Sequence, residues 1–398
     1  MTNPLPKDAR WNVNNFIAFK ATLSVDLWMP IWVIFLTNRG ISLTQLAIAD
    51  GLHRLVAVVL EVPMGIVADR WGHRVSLILG SFGFVLTMAT LALTTNFWLL
   101  MLSWVLWAVS VTLVSGADEA FLFESLDSVN LGTKYRHYFG RSQAVTLISS
   151  AIGSLIASPL YQIVAVLPIA INGVAAFIAT LFISITRPVK KRVHFVPLSL
   201  TQTWHKIKQD LRRFNIGTVI FIGALAYALF WSSTLFYQPY LLEIGVPLDY
   251  FGGFYVVILF SGAFGAFIAL RLSKWVGDAR LIGGLLILLW LAGLPMALTF
   301  SRWALVGIVV IWLGYYIINS IISDNLQKLV SSDVRATIGS MRNFIGSILV
   351  IFTRVIAGAV ADNLGLQAGL VVLMFLLLPC FAVGVYLVQR KWKSIFAN

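Results

Sequence analysis

Only 16 of the 398 residues are Asp or Glu, and several of them sit inside long apolar runs. Asp26 is the clearest case. It is flanked by Leu27, Trp28 and Met29, with Pro30 just beyond. An acid at the centre of a membrane helix costs roughly 2.5–3.5 kcal/mol to insert, so it is a functional candidate by default. A desolvated carboxylate can take up and release a proton in the working range, or hold a cation. Asp26 is therefore read as a proton-coupling or substrate-binding acid. Lys20 is the nearest base in sequence. Six steps of 100° place it about 120° away around a helix, so it need not be the partner.

A second group of acids follows Ser115-Gly116: Asp118, Glu119 and Glu124. Asp118 and Glu119 point in different directions on a helix, so at most one of them faces a common cavity fully. Either could relay protons or bind a cation. Glu61, beside Pro63, is a further candidate, and Asn319 and Asp324 occupy positions later in the chain that roughly match these acids. Asp50 and Arg54 are four apart and can pair along one helix face. Patterns for other chemistry are missing. The five His are scattered, and no Cys or carboxylate spacing suits a metal. Neither G-x-S-x-G nor a P-loop occurs. Cys380 is the single cysteine, so no intramolecular disulfide can form. No catalytic residue, cofactor or metal is expected, and the chain is not read as an enzyme.

These acids stand out because of what surrounds them. The chain is 59% hydrophobic and 11% charged, against roughly 25% charged in ordinary soluble domains. That excludes a soluble enzyme, a nucleic-acid module and a disordered chain, and leaves a helical integral membrane protein. Apolar segments of about 20 residues fall at 14–37, 44–67, 75–95, 97–126, 138–162, 164–186, 215–242, 250–272, 280–300, 303–327, 337–361 and 366–389. Residues 1–10 lack a cleavable-signal pattern, so the first segment is expected to stay as an anchor. The fold class is all-α, with twelve transmembrane helices in two six-helix halves, 1–186 and 215–398. A cytoplasmic central loop, 187–214, joins them. Its stretch Leu198–Phe214 alternates apolar and basic residues at helical spacing, as a helix on an anionic membrane surface or a solvated linker would.

The 29 basic residues against 16 acids give a net charge of +13. Nearly all of them, Arg342 included, map to one side of this arrangement. Arg39 and Arg302 map to the other, and Lys20, Arg54 and Arg354 fall within spans. That bias places both termini and the central loop in the cytoplasm. The surplus is topological, and no nucleic-acid partner is implied.

The two halves look duplicated. Gly40-Ile41-Ser42-Leu43 and Gly245-Val246-Pro247-Leu248 each open a span, and each span ends in a turn at Gly72 or Gly277. The spacing between the paired glycines is identical in the two halves. Two such halves are the plan of a secondary transporter with its site between them.

The turn after the second span reads Gly65-Ile66-Val67-Ala68-Asp69-Arg70-Trp71-Gly72-His73-Arg74-Val75-Ser76-Leu77. Gly65 and Gly72 permit close helix approach and a tight reversal. Asp69 can accept hydrogen bonds from a helix N-terminus, and Arg70 and Arg74 can pair with Glu124 or Asp127. The run closely resembles the signature G-x-L-A-D-R-x-G-R-K-x-x-L of the major facilitator superfamily, with Val67 for Leu and His73 for a base. The resemblance implies alternating access by a monomer in a prokaryotic cytoplasmic (inner) membrane. It implies a cytoplasmic gate of Gly65, Asp69, Arg70, Gly72, Arg74 and Glu124 or Asp127. It also implies that spans one, four, seven and ten line the cavity, and that spans two and eleven face each other, so Asp50, Arg54 and Arg354 form a candidate external latch.

Among the implied cavity residues Trp28, Trp231, Tyr237, Tyr315 and Asn319 suit an amphipathic, aromatic or cationic small molecule, and interfacial belts explain part of the aromatic content. Drug–proton antiporters of the family carry an Arg in span four and a Gly-Pro motif in span five. Here span four has Trp104, and Pro159 in span five has no following glycine pair. The expected activity is secondary transport of a small amphipathic or organic solute, with protons as coupling ion and export as the direction. Proton-coupled import and a non-transporting membrane sensor remain open.

Overall fold

The computed structural model describes residues 6–189, 216–330 and 335–395. Among them are helices α1 (Lys7–Leu23), α2 (Trp32–Thr37), α3 (Leu43–Trp71), α4 (His73–Ala92), α5 (Phe97–Val114), α6 (Ala117–Asp127), α7 (Tyr135–Ile163) and α8 (Leu167–Ser184). After the central loop come α9 (Ile216–Glu243), α10 (Asp249–Val276), α11 (Asp278–Leu298), α12 (Ala304–Leu329), α13 (Arg335–Leu364) and α14 (Leu366–Ile395). No strand occurs among the described residues. Most of the central loop, with the surface helix expected at Leu198–Phe214, lies outside them.

Eleven helical segments among the described residues are long and apolar enough to cross a bilayer. The twelfth expected span, 14–37, is not one helix. α1 stops at Leu23, α2 resumes at Trp32, and Asp26 lies in the irregular stretch between them. Pro30 contributes to the break. It lacks an N–H and biases Met29 away from helical geometry. The fourth span is also interrupted. α5 ends at Val114, Ser115 is extended, Gly116 takes φ +78°, and α6 restarts with Asp118 and Glu119 in its first turn. Their second-half counterparts, α9 and α12, run without a break.

A broken span needs partners for its freed backbone groups, because lipid offers none. The Leu27 N–H donates to Asn172 Oδ1 of α8 at 2.7 Å. The Met29 N–H donates to Asp26 Oδ1 at 3.3 Å, and Ser154 Oγ of α7 donates to the Asp26 carbonyl at 3.1 Å. Close approach of α7 is possible because residue 153 is glycine. A Cβ there would stand 2.6 Å from the Asp26 nitrogen.

The described residues form two compact units. The first holds those up to Gly40, those from Leu52 to the central loop, and Leu248–Gly253. The second holds Ile41–Gly51, the residues from the end of the central loop to Pro247, and those from Phe254 onwards. Each therefore takes in a short stretch of the other half of the chain. In the first unit Phe16 and Phe19 of α1 pack with Phe121, Leu122 and Leu126 of α6 and Leu77 of α4. In the second unit α9 is the enclosed helix, buried from Ile216 to Leu241 at all but a few positions. Outer helix faces carry exposed Phe177, Phe264, Phe267 and Phe375, as a lipid-facing surface requires. The repeat seen in sequence has a backbone counterpart: Gly40, Gly72, Gly245 and Gly277 all take positive φ, open to glycine at little cost.

Gly153→Ala should crowd the Asp26 backbone and cost about 1–3 kcal/mol, read as a lower melting temperature of the purified protein. Gly65→Ala meets no atom within 4 Å and should leave the melting temperature unchanged.

Candidate functional site

In the first unit the interrupted spans bring Lys20 and Asp118 together. Lys20 Nζ donates to Asp118 Oδ2 at 2.9 Å, and both side chains are largely buried. Lys20 is on the last turn of α1 and Asp118 on the first turn of α6, so each charge also sits at the helix end its sign favours. Of the two neighbouring acids, Asp118 is the one that faces α1. Glu119 is exposed and accepts from Tyr135 Oη at 3.4 Å. Lys20 is thus committed away from Asp26. Asp26 instead meets hydroxyls of α7: Ser150 Oγ lies 3.4 Å from its Oδ2.

Trp28 packs with Trp32, Trp104 and Trp107, ring centroids 5.0–6.1 Å apart. His53 of α3 lies 4.6 Å from the Trp107 ring. This cage borders the break in the first span. Glu61 is on an exposed part of α3.

The Asp69 turn departs from expectation in its pairing. Arg74 does not meet Glu124 or Asp127; its guanidinium donates to the Ser184 carbonyl and so caps the end of α8. The base at Glu124 is His73, Nδ1 to Oε2 at 3.0 Å. Asp127 faces the Gly132 turn. Gly72 makes the tight reversal at φ +92°, whereas Gly65 sits inside α3 with no neighbour within 4 Å of a built Cβ, so the close approach expected there is not formed. Asp69, Arg70, His73, Arg74 and Glu124 line one small cavity with Pro188 and Val189.

In the second unit Arg354 of α13 meets Asp50 of α3, Nη1 to Oδ2 at 2.6 Å, with only 1% of the arginine side chain exposed. It also donates to Thr234 Oγ1 at 2.6 Å and to the Trp231 carbonyl of α9. A buried ion pair needs such extra hydrogen bonds to offset desolvation. Two turns along α13, Asp362 accepts from the Leu43 and Thr44 N–H groups at 3.0 and 2.9 Å. It thereby caps α3 from another helix. Arg54 is buried one turn beyond Asp50. Tyr237 is 1% exposed and accepts from Gln238 Nε2, so it belongs to the core rather than to a cavity wall. Trp231 and Asn319 remain partly accessible, whereas Tyr315 is buried.

Paired glycine turns, two helical units and the Asp69 turn converge on one family. The family model "Major Facilitator Superfamily" matches residues 15–353. The chain belongs to the major facilitator superfamily. Its members are membrane transporters, and this chain is a secondary transporter of that family with a small-molecule substrate. It is 24% identical over 402 residues to "Uncharacterized MFS-type transporter YxaM" of Bacillus subtilis strain 168, covering 95% of this chain and 96% of that one. Its fold is similar to the crystal structure of the nucleoside transporter NupG, with TM-score 0.78 and 14% identity over 98% of this chain and all of that one. It is also similar to a bacterial homologue of the human lysosomal transporter Spinster in an inward-facing, unoccupied conformation. There the TM-score is 0.75 and the identity 14%, over 98% and 99% of the two chains.

Several residues of the site escaped sequence reasoning. Ser150, Ser154 and Asn172 are ordinary helix residues until the break next to them is known. Asp362 carried no signal beyond its charge. Arg342, counted with the cytoplasmic bases, lies inside α13 against α9.

Asp50→Asn leaves Arg354 buried without its counter-charge and should cost about 3–5 kcal/mol, read by thermal denaturation. Asp50→Arg combined with Arg354→Asp should recover part of that loss. No recovery would show that the pair contributes through the Arg354 contacts to α9 alone.

Proposed function

We propose that the protein is a proton-coupled transporter that exports a small amphipathic organic solute by alternating access, with Asp26 as the coupling acid. The observation that carries this reading is the interruption of the first span at Asp26. A carboxylate in an unwound, membrane-depth segment, where backbone and hydroxyl groups of neighbouring helices meet it, is placed to exchange a proton. The adjacent Lys20–Asp118 pair, joining the two interrupted spans, is the second element of the relay.

In this reading residues 1–186 and 215–398 are the moving halves, joined by 187–214, with both termini in the cytoplasm and the protein in the cytoplasmic membrane as a monomer. The Asp69 turn acts as the cytoplasmic gate, supported by its match to the family signature. The Asp50–Arg354 pair, with Asp362 on the N-terminus of α3, acts as the external latch, supported by its burial.

The direct test is flux in proteoliposomes under an imposed pH gradient, with the substrate chosen by a thermal-shift screen. Wild type should respond to the gradient. Asp26→Asn should lose gradient-driven flux while keeping substrate exchange at equal pH. Equal gradient response in both would remove Asp26 from coupling. Counterflow in oriented vesicles separates export from import. Asp69→Asn should slow transport by roughly tenfold or more with unchanged expression, since it removes the charge that holds the gate; full activity would remove the gate assignment.

A further inference from the structure

Arg342 is a cation in the wrong place for a loop residue. It lies two turns inside α13, half-buried, and its stem crosses the face of α9. That crossing exists because residue 223 is glycine: a Cβ there would stand 2.7 Å from Arg342 Cδ. One turn along α13, Gly346 makes the same kind of room for the Tyr227 ring, 2.7 Å from a built Cβ. The guanidinium is close enough to Tyr315 and Tyr227 to interact with both electrostatically. Among the described residues it forms no ion pair. Its one side-chain hydrogen bond is a 3.3 Å contact from Nη2 to Asn343 Oδ1. The other arginine deep in this unit, Arg354, shows the contrast, because its charge is met by Asp50.

The surroundings are aromatic. Phe230 stacks on Tyr315 with centroids 4.1 Å apart and an interplanar angle of 13°, and its other edge meets Trp312 at 4.7 Å. Trp312 is 4% exposed, and its indole N–H has no hydrogen-bond acceptor among the described residues. The cluster thus holds a half-buried cation without a counter-ion among the described residues, a buried indole N–H without an acceptor, and packed aromatic rings of which Tyr227 is half-buried, all within the second unit. Such a set of groups suits an acceptor-rich anion that carries a ring. Guanidinium groups bind carboxylates and sulfonates through two parallel N–H donors, and a ring finds its place on the aromatic faces.

We propose that Arg342, with Tyr227, Tyr315 and Trp312, forms the binding site for an aromatic organic anion, and that such an anion is the transported solute. The second clause rests on the transporter reading above; the first does not. Asp26 and Arg342 then have separate tasks, the first unit handling the proton and the second the anionic substrate.

The test uses the full-length protein purified in detergent and three naphthalene probes of one shape: 2-naphthoate, neutral 2-naphthamide and cationic 2-naphthylmethylammonium. Binding is measured by isothermal titration calorimetry. Wild type should bind naphthoate saturably, and the amide and the ammonium at least roughly tenfold more weakly, as loss of a charge-assisted pair requires. Arg342→Gln should bring naphthoate down to the level of the amide. Arg342→Lys should retain part of the preference, because the charge remains while the fork is lost. Gly223→Ala keeps the guanidinium but displaces its stem, and should weaken naphthoate even if Arg342→Gln fails to fold. The proposal is overturned if wild type binds no naphthoate, binds it no better than the amide, or keeps its preference in both Arg342→Gln and Gly223→Ala. The outcome is independent of proton coupling. Wild-type flux that ignores the pH gradient would overturn the coupling reading and leave an Arg342-dependent preference for the anion standing.

Discussion

Backbone hydrogen bonding in a medium without water is the constraint on which the rest of this structure depends. A helix that crosses a bilayer satisfies its own N–H and C=O groups, and interrupting it exposes several of them at a large cost. The chain interrupts two spans of its first unit and meets the cost with side chains from neighbouring helices. Asn172 Oδ1 accepts from the Leu27 N–H, Ser154 Oγ donates to the Asp26 carbonyl, and Ser76 Oγ donates to the Leu113 carbonyl at 2.6 Å near the end of α5. Gly153 lets α7 come near enough for this to work. Without these partners the segment around Asp26 would wind into helix or leave the membrane. The acid would then be one more costly charge rather than a placed one.

The second unit uses a different solution. Its counterparts of the interrupted spans are continuous, and α9 is enclosed over nearly its whole length. Charge there is held by α13, which crosses α9 with Arg354 and Arg342. Arg354 reaches a carboxylate and two acceptors on α9. Arg342 lies within electrostatic reach of Tyr315 and Tyr227. A duplicated chain has thus diverged electrostatically, with acids at broken helices in one unit and bases along an unbroken one in the other. The two proposed ligands, a proton at Asp26 and an anion at Arg342, follow this division of charge.

The Asp69 turn shows how a motif can be right in type and different in pairing. Glu124 meets a base, as the local charge pattern requires, but the base is His73. Arg74 is drawn instead to the orphan carbonyls at the end of α8, where a cation is favoured by both hydrogen bonding and the helix dipole. Two neighbouring bases can exchange partners in this way because the turn at Gly72 reverses the chain and fans His73 and Arg74 to different neighbours.

By itself the sequence determined the class of molecule. Apolar content set the membrane environment, segment length set the spans, basic-residue bias set the expected orientation, and glycine spacing exposed the duplication. All are properties that lipid and local backbone geometry impose on a chain one segment at a time, and so they are written along it. Asp26 and the Asp50–Arg354 pair were also visible, because charge inside an apolar run is rare enough to be noticed. Only the tertiary structure decided that the first span is broken, that Lys20 belongs to Asp118, that Tyr237 is core, and that Arg342 lies among aromatic rings. Each of these depends on which face of one helix meets another, and on small residues such as Gly153 and Gly223 whose role is to leave room. Periodicity along one segment carries no record of what fills the space beside it.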